Sequence, residues 1–298
     1  MKFTPLIFQA SLAAGGVALM PFNFLQFAIP HGKGLIKLSD ISWEGLTLGQ
    51  SLLYRPLVAV MLVFTVINLV LTVFFLKSLI QWIGNKEEYE SFINNPLINV
   101  GIFAPIASLS MTANVIWGPL GFFIPQLSAN LQVLMLPSLI FFGLLWIAIL
   151  GLEFKIMKIW LSQSVDITKF NFIWLLDVFA FGVVNLTGSG IAAMSGNSQI
   201  ASLAAFGSFF TLSIGIFLFV TKLAYLIYLQ IKSTQMPDSP VLPAYFLVVP
   251  ITCLFGLSLY RIATYLQNYF SFDVTVISFI LINFSYVVTI GWGIFSLS

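Results

Sequence analysis

The most unusual reactive side chain in this 298-residue chain is Asp177, in the stretch Ile-Trp-Leu-Leu-Asp177-Val-Phe. It lies about seven residues into an apolar segment, roughly 10 Å along a helix that rises 1.5 Å per residue. An ionisable residue inside a membrane helix indicates a functional site. Three roles are open: a proton-coupling carboxylate, a group at a pore mouth, or the partner of a basic residue such as Lys155 or Lys169.

Uncharged polar side chains recur in alternate apolar segments of the chain. They are Ser108, Ser110, Thr112, Asn114, Asn185, Thr187, Ser189 and Thr252. Because Ser108 and Thr112 are four residues apart, they lie on one helix face. Each group can simply bond a backbone carbonyl or a neighbouring helix. Together, on three alternating helices, they also fit the wall of a pore.

Prolines and phenylalanines fall in the same segments. Pro105 and Pro250 are predicted to lie inside helices, where a proline removes a hydrogen bond and bends the helix. Such bends either aid packing or set the width of a central passage. Most of the 31 phenylalanines must face lipid or fill the core. Five of them can constrict a pore by excluding water: Phe103, Phe179, Phe181, Phe246 and Phe255.

Arg261 is the second charged residue of interest. It falls near the end of an apolar segment that is otherwise poor in charge. It can attract anions at a pore mouth or, alternatively, snorkel to the membrane surface as an anchor.

The remaining reactive residues exclude several classes of protein. One cysteine, Cys253, and one histidine, His31, rule out a disulfide framework and a His/Cys metal cluster. The segments contain no histidine and no evident pair of nucleophile and base, so we expect no enzyme activity, metal or cofactor. A net charge of only +2, spread along the chain, does not indicate nucleic-acid binding.

The composition is that of a membrane protein. Hydrophobic residues make up 59% of the chain and charged residues 7%, whereas a soluble domain carries about 25% charged residues. Eight apolar segments are long enough to cross a bilayer, and they predict an all-α, polytopic transmembrane helical bundle in one domain, 1–298. The segments are 5–29, 54–84, 97–118, 131–161, 170–193, 199–231, 242–264 and 274–298. The first is longer than the apolar region of a signal peptide.

Basic residues predict the orientation. Eight of them lie at the amino terminus or in the connections after segments two, four and six and the segment ends beside these connections: Lys2, Lys77, Lys86, Lys155, Lys158, Lys169, Lys222 and Lys232. The opposite side holds four, namely Lys33, Lys37, Arg55 and Arg261. Because the basic-rich side is usually cytoplasmic, we expect both termini in the cytoplasm and the chain in the plasma (inner) membrane.

Small residues alternate with bulky ones from segment to segment. Residues 8–22, 101–114 and 180–195 contain seven, six and eight Gly, Ala or Ser, whereas residues 56–76 contain one. Small residues permit close helix approach, while bulky aliphatic residues suit lipid. We therefore predict an inner ring of odd-numbered helices around a pore, enclosed by the even-numbered ones. Segment seven fits this pattern less well.

The helical hairpins also look repeated, with a period of about 70–80 residues. The ends of segments two, four and six share a lysine followed by an aromatic residue: Lys77 and Trp82, Lys155 and Trp160, Lys222 and Tyr225. Repeated hairpins are common in transport proteins. Alternatively, any helix end collects lysine and aromatic residues at the membrane interface.

Three short motifs occur in order along the chain. They are Phe3-Thr4-Pro5 before a Gly/Ala-rich segment, Tyr89-Glu90 followed by Asn95-Pro96, and Leu242-Pro243-Ala244-Tyr245-Phe246 before Pro250. This set resembles the tellurite-resistance/dicarboxylate transporter family, which includes bacterial TehA and plant slow anion channels. The resemblance implies a ring of five hairpins, odd helices around a pore closed by a phenylalanine, a homotrimer, and transport of chloride, nitrate, sulfite or dicarboxylates.

Two features depart from the family. The fifth hairpin, with the gating phenylalanine on the ninth helix, has no counterpart here, and Asp177 is unexpected in an anion pore. Four hairpins would leave a gap in a five-hairpin ring. We therefore expect either two further helices in the native protein or a partner that fills the gap.

The sequence thus predicts a channel or transporter for small inorganic or dicarboxylate anions. An uncharged polar pore passes anions because weak binding permits fast exit. The alternatives are a proton-coupled carrier that uses Asp177 and, from another class, a membrane enzyme or scaffold. The residues predicted to line the pore are Phe103, Pro105, Ser108, Thr112, Asp177, Phe181, Asn185, Phe246, Pro250 and Thr252.

Overall fold

The computed structural model describes residues 3–32, 34–164, 166–233 and 242–297, and within these ranges the chain forms helices and no strand. Eight helices in the described part are long and apolar enough to cross a membrane, as predicted. Two of the basic residues used to predict the orientation, Lys2 and Lys33, lie outside the described residues. The helices are α1 (Pro5–Ala28), α2 (Leu48–Gly84), α3 (Asn99–Phe123), α4 (Leu131–Ser162), α5 (Phe172–Met194), α6 (Ser198–Ser233), α7 (Leu242–Phe270) and α8 (Thr275–Leu297).

Three helix boundaries lie five or six residues from the predicted ones: α2 begins at Leu48, α3 ends at Phe123 and α7 ends at Phe270. α2 begins earlier, at Leu48, because Thr47 and Gln50 form a capping box. The Gln50 N–H donates to the Thr47 hydroxyl at 3.3 Å, and the Thr47 N–H donates to the Gln50 side chain at 3.0 Å. α3 continues through Pro119 because a π-helical turn, Ile116–Leu120, accommodates the proline.

Pro105 and Pro250 lie within their helices, as predicted, but nearer the start of the α-helical part than a mid-helix position. Each of these spans starts with a 3-10 segment, and the α-helix proper begins only at Phe103 or Val248. Both prolines therefore occupy the first α-helical turn. A missing backbone N–H costs little there, because the first turn has no carbonyl partner for it within the α-helix.

Burial follows the small-residue pattern through most of the bundle. In the most apolar 18-residue stretch of each helix, 83% of the residues are buried in α3 and 89% in α5. The corresponding values are 22% in α2 and 0% in α8. α1 packs against α3, α3 against α5, and α5 against α7, while each even helix packs against the odd helix before it. α7 is the exception among the odd helices, with 39% buried. This value agrees with its weaker small-residue pattern.

Glycine permits the closest contacts between these helices. A β-carbon at Gly15 of α1 would lie 2.5 Å from Cγ of Met111 in α3 and 2.9 Å from Nδ2 of Asn68 in α2. A β-carbon at the neighbouring Gly16 would meet nothing within 4 Å. Gly15 therefore faces the helix contact, and Gly16 faces away from it.

Gly15→Ala should lower the stability of the protein by about 1–3 kcal/mol, the usual cost of an extra carbon in a packed interface. Gly16→Ala is the matched control and should be neutral or slightly stabilising, because alanine favours the helix. Thermal unfolding of both variants in the same detergent checks the difference. Equal melting temperatures would contradict the close contact of α1 with α2 and α3.

Candidate functional site

A small cavity lies among α1, α3, α5 and α7, with a volume of about 30 Å³. This is room for roughly two water molecules. All its lining residues belong to these odd-numbered helices or to the connection between α1 and α2. They include Asn23 of α1, Asn114 and Trp117 of α3, Leu186 of α5 and Arg261 of α7.

Arg261 is the charged group of this cavity. One N–H of its guanidinium donates to the backbone carbonyl of Leu186 at 2.9 Å. Gly190 allows this approach, since a β-carbon there would lie 3.0 Å from Nη1 of Arg261. Among the described residues, no carboxylate lies within 4.0 Å of the guanidinium. An arginine has five N–H donors, so donors remain for a further acceptor in the cavity.

A second polar site lies nearer the opposite ends of these helices. Asp177 of α5 and Lys222 of α6 form a salt bridge, and both side chains are almost completely buried. Lys222 also donates to the backbone carbonyl of Trp174 at 3.3 Å. Its Nζ lies 4.6 Å from the ring centres of both Trp160 and Trp174. Glu153 of α4 interacts electrostatically with Asp177 and Lys222 and completes this buried ion cluster.

The predicted partners of Asp177, Lys155 or Lys169, are wrong. Nζ of Lys155 lies 3.8 Å from the Glu90 carboxylate, and Nζ of Lys169 lies 3.5 Å from that of Asp166. The side chains of Lys155 and Lys169 are 40% and 64% exposed, so neither lysine is buried beside Asp177. Lys222 lies towards the end of α6, as Lys155 does in α4, but is only 3% exposed.

Asp177 also lies closer to its helix start than the sequence indicates. A 3-10 segment, Phe172–Leu175, precedes the α-helix, so Asp177 falls in the first α-helical turn. One of its carboxylate oxygens accepts the backbone N–H of Val178 at 2.6 Å. A carboxylate in this position is favoured by the positive end of the helix dipole.

The predicted hydroxyl groups join neighbouring helices. Ser110 of α3 shares a 2.6 Å hydrogen bond with Thr187 of α5, to which Asn114 also donates at 2.7 Å. These contacts correspond to the structural role considered for the hydroxyl groups. Three further pairs connect α1 with α3, α2 with α3, and α7 with α8: Ser11 and Ser108, Thr72 and Thr112, Thr252 and Thr289.

The other predicted pore residues differ in exposure. Phe246 is 40% exposed on the 3-10 segment of α7, and Pro250 is partly exposed. The buried ones are Phe103, Pro105, Phe181 and Asn185. Within the described part of the chain, neither polar atom of the Asn185 amide has a hydrogen-bond partner. None of the ten predicted residues borders the small cavity, and pore lining by them stays a prediction.

Sequence reasoning missed Glu153 as a member of the buried ion cluster and took Lys222 only as a helix-end lysine. The signal for Glu153 was the one that singled out Asp177, a charge within an apolar stretch, here Leu-Glu153-Phe. Its closeness to Lys155 and Lys158 made it resemble an interfacial residue. Asn23 carried no signal beyond being a polar residue in an apolar helix.

The chain matches no protein-family model, no curated protein and no solved structure. The side chains of the two polar sites are therefore the evidence for what the protein does.

Proposed function

We propose that this protein transports small anions across the membrane along a path between α1, α3, α5 and α7. The observation that carries the proposal is Arg261, a guanidinium in a cavity of these four helices with no carboxylate within 4.0 Å among the described residues. A cation within a membrane protein is costly unless a negative partner compensates it. Guanidinium groups bind anions through strong, charge-assisted hydrogen bonds.

The size of the cavity favours small inorganic anions over dicarboxylates. Its 30 Å³ holds about two water molecules. A chloride or nitrate ion fits such a space once it sheds most of its hydration shell, and Arg261 replaces part of the lost hydration. A dicarboxylate would require the surrounding helices to separate.

The resemblance to the tellurite-resistance/dicarboxylate transporter family supports the same function and favours a homotrimer. With both termini in the cytoplasm, as the basic residues indicate, the cavity lies towards the outer surface. The buried ion cluster then lies towards the cytoplasm. In this arrangement the odd helices surround the path and the even helices face lipid.

Anion release from liposomes containing the purified protein tests the proposal. We expect chloride and nitrate to leave faster than from protein-free liposomes when an ionophore balances the charge, and succinate to leave more slowly. Potassium release without ionophore is the selectivity control. Absence of release for every anion, or potassium release as fast as that of chloride, would overturn the proposed function.

A proton-coupled anion carrier is the second candidate, and the buried carboxyl groups of Glu153 and Asp177 favour it. In a carrier, an imposed pH gradient drives anion accumulation against the anion gradient. In a channel, the anion moves only down its own electrochemical gradient. Measurement of accumulation under a pH gradient therefore separates the two candidates.

A further inference from the structure

Among the described residues, Glu153 is the buried carboxyl group that is poorest in hydrogen bonds. Its side chain is 4% exposed, and both carboxylate oxygens are buried without a hydrogen-bond partner among the described residues. A buried ionised carboxylate normally accepts several hydrogen bonds, because desolvation is otherwise too costly. The surroundings of Glu153 therefore do not suit a permanent carboxylate.

The neighbouring ion pair offers Glu153 no cation of its own. Asp177 already pairs with Lys222, whose ammonium also donates to the Trp174 carbonyl. The cluster thus contains two carboxyl groups and one ammonium. With both carboxyl groups ionised it carries one net negative charge, and with one proton added it is neutral.

The other titratable groups around Glu153 do not supply a second cation. α3, which packs against α4, has no titratable side chain between Asn99 and Phe123. On α4 itself, Lys155 pairs with Glu90 at 3.8 Å and lies over the ring of Tyr89. α6 contributes Lys222 and the Tyr225 phenol, whose ring contacts Trp174.

We propose that Glu153 is a reversible proton-binding site, in which the protonated carboxyl group donates a hydrogen bond to the Asp177 carboxylate. A proton taken from water forms the O–H bond on Glu153, and the net charge of the cluster changes from minus one to zero. Asp177 then keeps its salt bridge with Lys222. This arrangement gives the otherwise unpartnered Glu153 side chain an acceptor.

Aromatic rings cover the site and limit access of water. Trp160 and Trp174 lie 5.4 Å apart, and Phe170 stacks on Trp174 at 4.4 Å. Both indole rings lie over the ammonium of Lys222. Gain or loss of the proton therefore changes the charge of a buried compartment where α4, α5 and α6 meet. Such a change can bias the packing of these helices, as in other buried charge switches.

Infrared difference spectroscopy of the purified protein, titrated from about pH 6 to pH 10, tests the proposal above the range in which exposed carboxyl groups titrate. We expect a carboxylic-acid carbonyl band that is lost as the pH rises and is absent from Glu153→Gln. Glu90→Gln is the matched control, because Glu90 is a half-exposed carboxylate, and it should keep the band.

Glu153→Gln should fold, since glutamine resembles the neutral acid, and circular dichroism checks this. Asp177→Asn provides a second variant and should keep a titrating carboxyl signal with a shifted midpoint. A wild-type protein without a titrating band, or a band lost from Asp177→Asn but kept in Glu153→Gln, would overturn the proposal. These spectra need no transported ion, so a failed anion assay leaves their result unaffected.

Discussion

Replacement of Arg261 by glutamine is expected to reduce the binding of a transported anion by roughly 10- to 150-fold. This range corresponds to the loss of a charge-assisted hydrogen bond, about 1.5–3 kcal/mol. The flux of chloride or nitrate should fall in proportion when the anion concentration is well below saturation. Arg261→Lys should retain part of the flux, because it keeps the charge but loses the planar set of donors.

Arg55→Gln is the matched control for Arg261. Arg55 is the only other arginine in the chain and is exposed on α2, outside the cavity. Its substitution should leave the flux unchanged. The melting temperature of Arg261→Gln should not fall much, because the variant removes a cation that has no carboxylate partner among the described residues. Wild-type flux in Arg261→Gln would show that the cavity does not bind the transported anion.

Replacement of Lys222 by methionine is expected to destabilise the protein by about 3–5 kcal/mol, the usual cost of leaving a buried charge without its partner. The variant leaves the buried Asp177 carboxylate without its cation, and it removes the contacts with Trp160 and Trp174. The free energy of unfolding, measured by titration with a denaturing detergent, checks this value.

The chain offers two controls for Lys222. Lys155→Met breaks the half-exposed pair with Glu90 and should cost no more than about 1 kcal/mol. Asp177→Asn should cost less than Lys222→Met, because Glu153 can then serve as the counter-ion of Lys222. The double variant Lys222→Met/Asp177→Asn should recover part of the lost stability. If Lys222→Met unfolds at the same detergent concentration as the wild type, the buried pair contributes little to the fold.

The two sites share α5 as a common wall. Asp177 near its start belongs to the buried ion cluster, and Leu186 borders the cavity nine residues later, roughly 14 Å along the helix. The unpartnered Asn185 lies on this stretch. The proton proposed to bind at Glu153 and the anion proposed to bind at Arg261 would both act on α5, which offers one route for coupling between them.

Much of the fold was predictable because the sequence features that indicate it lie within single segments of the chain. The eight spans follow from hydropathy and length, and the deep burial of α3 and α5 follows from their small residues. Asp177 was recognisable from a single residue, since lipid makes any charge in an apolar helix unusual. The early start of α2 was also readable in principle, because Thr47 and Gln50 form a capping box with the spacing expected for one.

By itself, the sequence determined that the chain is a helical membrane bundle and that Asp177 is an unusual charged residue within an apolar segment. Only the tertiary structure decided which residues complete the sites, because a helix alone does not specify its rotation against its neighbours. Rotation of α6 turns Lys222 inward to Asp177, while Lys155, towards the end of α4, reaches Glu90. In the same way, the packing of α7 against α5 brings Arg261 to Leu186, 75 residues away along the chain.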